Sequence, residues 1–130
     1  MDAQGAVIVH PVRPATWGIS LRQQRRSLFD ALLYKKHPEL YQRKIQPSRP
    51  WDYYAIVAAV ASAWLGSKPV AWMAAPCWAW LTARFCVRRL RRTSLAPGHV
   101  AEMVVTSLAI PFLSVFWRLY GAWKFRARFF

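Results

Sequence analysis

At 130 residues, with 19 Lys plus Arg against five Asp plus Glu, the chain carries a formal net charge of +14, yet it is 55% hydrophobic and holds eight Trp. A chain of this length makes one small unit, which excludes a multi-domain organisation. The charge calls for phosphate-rich partners such as nucleic acid, nucleotide or anionic lipid, but the apolar residues gathered in blocks after residue 50 exclude a plain basic nucleic-acid arm and predict a membrane protein.

The first 20 residues lack a charged region followed by an apolar core, so no signal peptide is expected and the membrane segments must do their own targeting. Ala6-Val7-Ile8-Val9, closed by His10-Pro11, is predicted as a short strand, followed by a loop through Pro14 and Trp17-Gly18. No partner strand follows, and a lone strand leaves its backbone groups unpaired. Residues 1–18 therefore read as the remnant of a sheet that lies elsewhere.

Ser20 is placed to cap a helix running to about Lys36 and stopped by His37-Pro38. Leu21, Leu28, Phe29, Leu32 and Leu33 fall on one side of it, with Arg22, Arg25, Arg26, Lys35 and Lys36 largely outside that stripe. Two readings stay open for this amphipathic helix: packing on its own protein with a solvated charged face, or lying in the plane of the lipid headgroups. Pro47 and Pro50 then form a stiff linker, so that residues 19–50 make up a basic helix plus linker.

Trp51-Asp52-Tyr53-Tyr54 is an aromatic cluster suited to a membrane interface. It opens the first of two apolar segments joined by the turn Gly66-Ser67-Lys68-Pro69, and residues 51–87 are predicted as a transmembrane helical hairpin. A hairpin buried in a soluble protein is the alternative, but little else in the chain is large enough to cover both helices. Residues 88–99 are expected to form a basic cytoplasmic loop. Residues 100–130 hold a third apolar segment, Met103 to Trp117 interrupted by Pro111, and a basic, aromatic tail. With only about 22 Å of apolar helix against a hydrocarbon core of about 30 Å, this segment is expected to lie in the plane or re-enter, with a third span as the alternative. Cys77 and Cys86 read as free buried thiols. The fold class is thus mainly α and membrane-associated: an interfacial amphipathic helix, a transmembrane hairpin, a third apolar segment that spans or lies in the plane, and one orphan strand.

Chemistry-bearing residues are sparse. His10, His37 and His99 are far apart and none lies at ligand spacing from another His, a Cys or a carboxylate, so no metal site is expected. The five carboxylates, Asp2, Asp30, Glu39, Asp52 and Glu102, are isolated in sequence, and no pair is placed to hold a metal or share acid and base work. No catalytic residue is assigned. Most Trp sit inside apolar blocks rather than on a basic face open to stacking, which argues against nucleic acid as a partner.

The ordered run of Ala-Val-Ile-Val-His-Pro, Trp17-Gly18, Gln23-Gln24-Arg25-Arg26 and Ala31-Leu32-Leu33-Tyr34-Lys35-Lys36-His37-Pro38, continuing into the aromatic linker and hairpin, resembles the C-terminal membrane-anchoring region of family 2 glycosyltransferases of the GT-A type. In that family a Q-x-x-R-W motif lies on a helix near the membrane, its Arg associated with the sugar donor's diphosphate and its Trp with the acceptor. Gln23 and Arg26 match the first and fourth positions, and Ser27 stands where the Trp would be. The resemblance implies a substrate-binding role for Gln23 and Arg26 and transfer from a nucleotide-sugar to a membrane-associated acceptor. It also implies an upstream catalytic domain supplying the catalytic carboxylates and a Mg²⁺ or Mn²⁺ site, this chain being truncated, without a cofactor of its own and inactive alone. The competing expectation is a small membrane interaction protein whose basic helix binds anionic lipid or a partner subunit. Nine Lys and Arg precede the hairpin, Lys68 lies in its turn, and Arg84, Arg88, Arg89, Arg91 and Arg92 follow. The positive-inside rule then predicts a multi-pass inner-membrane protein with a cytoplasmic N-terminus.

Overall fold

A computed structural model describes residues 16–46, 50–91, 93 and 95–127. These residues are mainly helical, and no strand occurs among them. The strand expected at residues 6–9 lies outside the described residues, as do Pro47 of the linker and the last three residues of the tail. The basic segment is helical from residue 19 to residue 36, as α1 (Ile19–Gln23), a tighter 3-10 turn (Gln24–Arg26) and α2 (Ser27–Lys36). Gly18, at φ 73°, starts it in a left-handed conformation that glycine adopts without strain.

His37 breaks the helix before Pro38, since a residue preceding proline is pushed out of the helical region. Proline is well suited to the first position of the next helix, and the chain turns at once into α3 (Pro38–Leu40) and a π turn (Tyr41–Ile45). The segment read from sequence as linker is therefore helical up to Ile45. Tyr41 is buried there, packed with Ala31 and Ala127.

α4 (Trp51–Leu65) and α5 (Lys68–Leu90) lie antiparallel across a two-residue connection and make the most extensive helix pair in the molecule. α5 continues past Val87 to Leu90, so Arg88 and Arg89 are helical residues facing neighbouring elements. Cys77 and Cys86 are both free, but they are exposed and half-buried rather than buried.

The third apolar segment differs most from expectation. α6 (Pro97–Phe125) is one helix of 29 residues, about 43 Å long, and passes through Pro111 without interruption. An interior proline costs a hydrogen bond and introduces a clash, together about 3 kcal/mol or more. Tertiary burial offsets that cost here, because Ile110 and Pro111 are buried and Ile110 joins Ile56 and Phe85 in the larger core cluster. Among the described residues α6 is the one helix both long and apolar enough to cross a membrane, with a mean hydropathy of 1.8 over its best eighteen-residue stretch. α4 is only 15 residues long, about 22 Å, and α5, though continuous, has its apolar run broken by Pro76 and Arg84.

α6 is also the element against which everything else is arranged. The basic helix runs parallel to it: the Gly18 amide donates to Glu102 Oε1 at 2.7 Å, Arg25 lies over the Trp117 ring, and Lys35 Nζ donates to the Phe125 carbonyl at 2.9 Å. Leu28 and Ala31 are buried in this contact, while Phe29 and Leu33, grouped with Leu28 by sequence, stay exposed. The hairpin touches α6 through its open end, by way of Ile56 and Phe85. Its closed end projects free, with Trp64 86% and Leu65 88% exposed before the turn and Trp72 81% and Met73 77% exposed after it.

Gly121 marks the closest approach, since a Cβ there would stand 2.5 Å from the Leu28 carbonyl oxygen. We expect Gly121→Ala to force the basic helix off α6 and cost about 2 kcal/mol, in the range of overpacking substitutions. Gly98→Ala, where a Cβ would meet nothing within 4 Å, serves as the neutral control. Thermal unfolding of the two variants in the same detergent checks this, and equal midpoints would show that the approach is not tight.

Candidate functional site

Gln23 and Arg26 lie three residues apart, at the end of α1 and in the 3-10 turn, so their side chains leave adjacent positions on one helical face. Both are exposed, and among the described residues neither has a hydrogen-bond or ion-pair partner. Their neighbours Arg22 and Arg25 are exposed as well. The turn is held locally by the Gln24 side-chain amide, which donates to the Ser20 carbonyl at 3.1 Å. Arg25 is steadied by Trp117 of α6, its guanidinium 5.9 Å from the ring centroid. The result is a face rich in N–H donors and positive charge, able to bind phosphate oxygens in a bidentate manner.

The acidic groups are arranged quite differently. Asp52 pairs with Arg88 at 2.5 Å. Glu102 accepts from the Gly18 amide and lies 4.0 Å from His99 Nδ1. Asp30 lies 3.7 Å from Arg118 Nη1. Among the described residues no three His, Cys, Asp or Glu side chains come together as a metal site, and these three carboxylates are occupied in holding helices together. The divalent metal that the glycosyltransferase resemblance implies belongs to the upstream catalytic domain, and no group of described residues here is placed to hold it.

A buried polar cluster escaped the sequence reading. Arg118, the first residue of the basic, aromatic tail expected after Trp117, is buried within α6 at 6% exposure. Its Nη2 donates to Gln46 Oε1 at 2.9 Å, and the Tyr41 hydroxyl donates to the same oxygen at 2.7 Å. Burial pushes the Tyr41 hydroxyl up to about 12, with the negative charge of Asp30 adding to the rise and Arg118 opposing it. The Asp30 carboxyl is likewise raised by burial, against the pull of Arg118. The cluster ties α2 and the π turn to α6.

The sequence does carry a signal for this cluster. Ser107, Ser114 and Gly121 recur every seven residues, with Arg118 on the same side, and all four are buried. Small residues at that spacing mark a helix face closely approached by other backbones. No protein-family model matches this chain, and neither a curated protein nor a solved structure matches it.

Because the Asp30 carboxyl is raised in the fold, its stabilising contribution is full below the unfolded value and is lost as the pH rises through the folded value. We expect unfolding midpoints to fall through this group as the pH rises above the ordinary carboxylate range. Asp30→Asn should flatten that slope, and Arg118→Met, which removes the opposing charge, should extend it to higher pH. Melting curves over this range check both, and an unchanged slope in Asp30→Asn would show that another group governs it.

Proposed function

We propose that this chain is the C-terminal membrane part of a family 2 type glycosyltransferase, transferring sugar from a nucleotide-sugar to a membrane-associated acceptor in concert with a catalytic domain that supplies the carboxylates and the metal. The observation that carries the reading is the placement of Gln23 and Arg26: among the described residues this pair faces outward without a partner, beside the exposed Arg22 and Arg25, on a helix packed along α6. A diphosphate is a ligand of the right charge and donor demand for it. Arg25 and Arg22 extend the positive field around it.

Membrane attachment in this reading comes from the hairpin. Its closed end exposes Trp64, Leu65, Trp72 and Met73, an apolar surface that calls for lipid or a partner to cover it. We read the hairpin as entering the inner membrane from the cytoplasmic side, with Lys68 at its far end and both flanks inside. α5, about 34 Å from 23 residues, has the length for this, and α4 reaches it with the help of the Trp51, Tyr53 and Tyr54 ring cluster.

α6 meets the requirements for a span by length and hydropathy, but its neighbour argues for another placement. A spanning α6 would draw the parallel basic helix into the bilayer with it. Arg22, Arg25 and Arg26 would then face hydrocarbon, at about 2.5–3.5 kcal/mol each on insertion scales. Lying along the surface, α6 can instead turn its exposed stripe of Leu108, Phe112, Phe116 and Leu119 toward the acyl chains while the basic helix stays at the headgroups. The same surface placement leaves Gln23 and Arg26 open to cytoplasmic nucleotide-sugars.

The test is sugar transfer by this chain joined to the catalytic domain of such an enzyme. Arg26→Ala should lower kcat/KM by about 30-fold to 1,000-fold, as expected for removal of a charge clamp on a developing phosphate charge, and Gln23→Ala by less. A change within about twofold for Arg26→Ala would remove the donor-binding role. In intact cells, a cysteine at position 68 should react with an impermeant reagent from outside while cysteines at positions 50 and 125 do not. Labelling at position 125 would mean that α6 crosses.

A further inference from the structure

A second basic cluster sits on α5, separate from the basic helix. Arg84, Arg88 and Arg91 follow one another at intervals of four and three residues, so they share one face at the end of the helix that joins α6. All three are exposed. Arg84 and Arg91 have no hydrogen-bond or ion-pair partner among the described residues, and Arg88 gives one nitrogen to Asp52 and keeps other N–H groups available. Toward the closed end of the hairpin the same face continues as Trp80, Cys77 and Met73, each exposed. At the arginine end of this strip lies an open depression of about 450 Å³, lined by Trp80, Ala83, Arg84, Val87, Arg88 and Arg91.

We infer that this face of α5 is a binding site for one anionic phospholipid, its phosphate held by Arg84, Arg88 and Arg91 and an acyl chain laid along Trp80, Cys77 and Met73. The argument is complementarity in both charge and polarity. Guanidinium groups at helical spacing can share the oxygens of a phosphodiester. A soluble phosphate would use that end alone and leave the apolar strip bare, whereas a lipid uses both ends in the order the helix presents them. The depth agrees, since Arg84 stands sixteen residues beyond Lys68, about 24 Å along the axis. A long arginine side chain there reaches the headgroup level of a leaflet entered from the base of the hairpin. Trp80, one turn deeper, lies where indole rings favour the boundary. The small Ala83 leaves room for the head beside the helix.

The site rests on the proposed entry of the hairpin into lipid and not on sugar transfer, and the two can be tested apart. Flotation of the full chain with neutral phosphatidylcholine vesicles reports entry; a chain that stays at the bottom overturns the lipid site together with the membrane reading. For the site itself, the full chain in a neutral detergent is titrated with dioleoyl phosphatidylglycerol or dioleoyl phosphatidylcholine, and retained lipid is counted by native mass spectrometry. One phosphatidylglycerol held in preference to phosphatidylcholine is expected. Arg84→Gln with Arg91→Gln, which leaves the Arg88 to Asp52 pair intact, should weaken that retention about tenfold. Arg43→Gln with Lys44→Gln, both exposed and outside either basic face, should leave it unchanged and serves as the charge-matched control for folding. Equal retention of the two lipids, or loss of retention in both double variants alike, would overturn the assignment. Displacement of the lipid by millimolar glycerol phosphate would do the same, by showing a site for a soluble anion.

Discussion

The approach of the Leu28 backbone to Gly121 is the constraint on which the arrangement depends. A backbone-to-backbone contact of this kind requires α6 to present no side chain at that point, and the repeat of Ser107, Ser114 and Gly121 keeps one side of the helix low along its length. Close approach gains many weak dispersion contacts at once. It also carries polar atoms inward, where each needs a partner. Arg89 supplies one solution, its Nη1 donating to Thr106 Oγ1 and Ser107 Oγ at 2.9 Å each while the Thr106 hydroxyl donates onward to the Glu102 carbonyl at 2.7 Å. Arg118 supplies the other. Both arginines are therefore part of the packing, and neither is available to a ligand in the way that Arg26 is.

A protein built like this places its residues unusually. The interior of α6 is lined by small and polar residues, and large apolar residues such as Phe116, Leu119 and Trp123 lie outside. For a water-soluble protein that distribution wastes much of the hydrophobic driving force. Lipid reverses the penalty, because an exposed Leu or Phe then costs nothing and the helices must adhere through close contacts and hydrogen bonds. The proposed membrane placement accounts for the distribution with one assumption.

Much of the helical architecture was legible from residue pattern. The periodicity of Leu21, Leu28 and Leu32 with the stop at His37-Pro38 marks the basic helix, and the Gly66 to Pro69 turn separates α4 from α5. Charge and proline misled where the fold overrode them. Arg88 and Arg89 read as loop because they adjoin a basic run, yet each finds a partner on another helix that keeps it in α5. Pro111 read as a break, and Arg118 as the start of a tail, because neither the docking of the hairpin nor the Asp30, Tyr41 and Gln46 cluster can be seen from local sequence. For the candidate site, the pattern named Gln23 and Arg26. It could not reveal that they would stay uncommitted among the described residues, which depends on where the other long-range contacts fall.

Pro111 has one further consequence. Its missing N–H leaves the Ser107 carbonyl without its usual donor, and a helix that lacks a rung yields there more readily than elsewhere. That position is the level at which Ile110 meets Ile56 and Phe85, with Leu21 packed alongside. The basic helix runs past this level, bound to Glu102 on one side of Pro111 and to the Phe125 carbonyl on the other, and so splints α6 across its weakest turn.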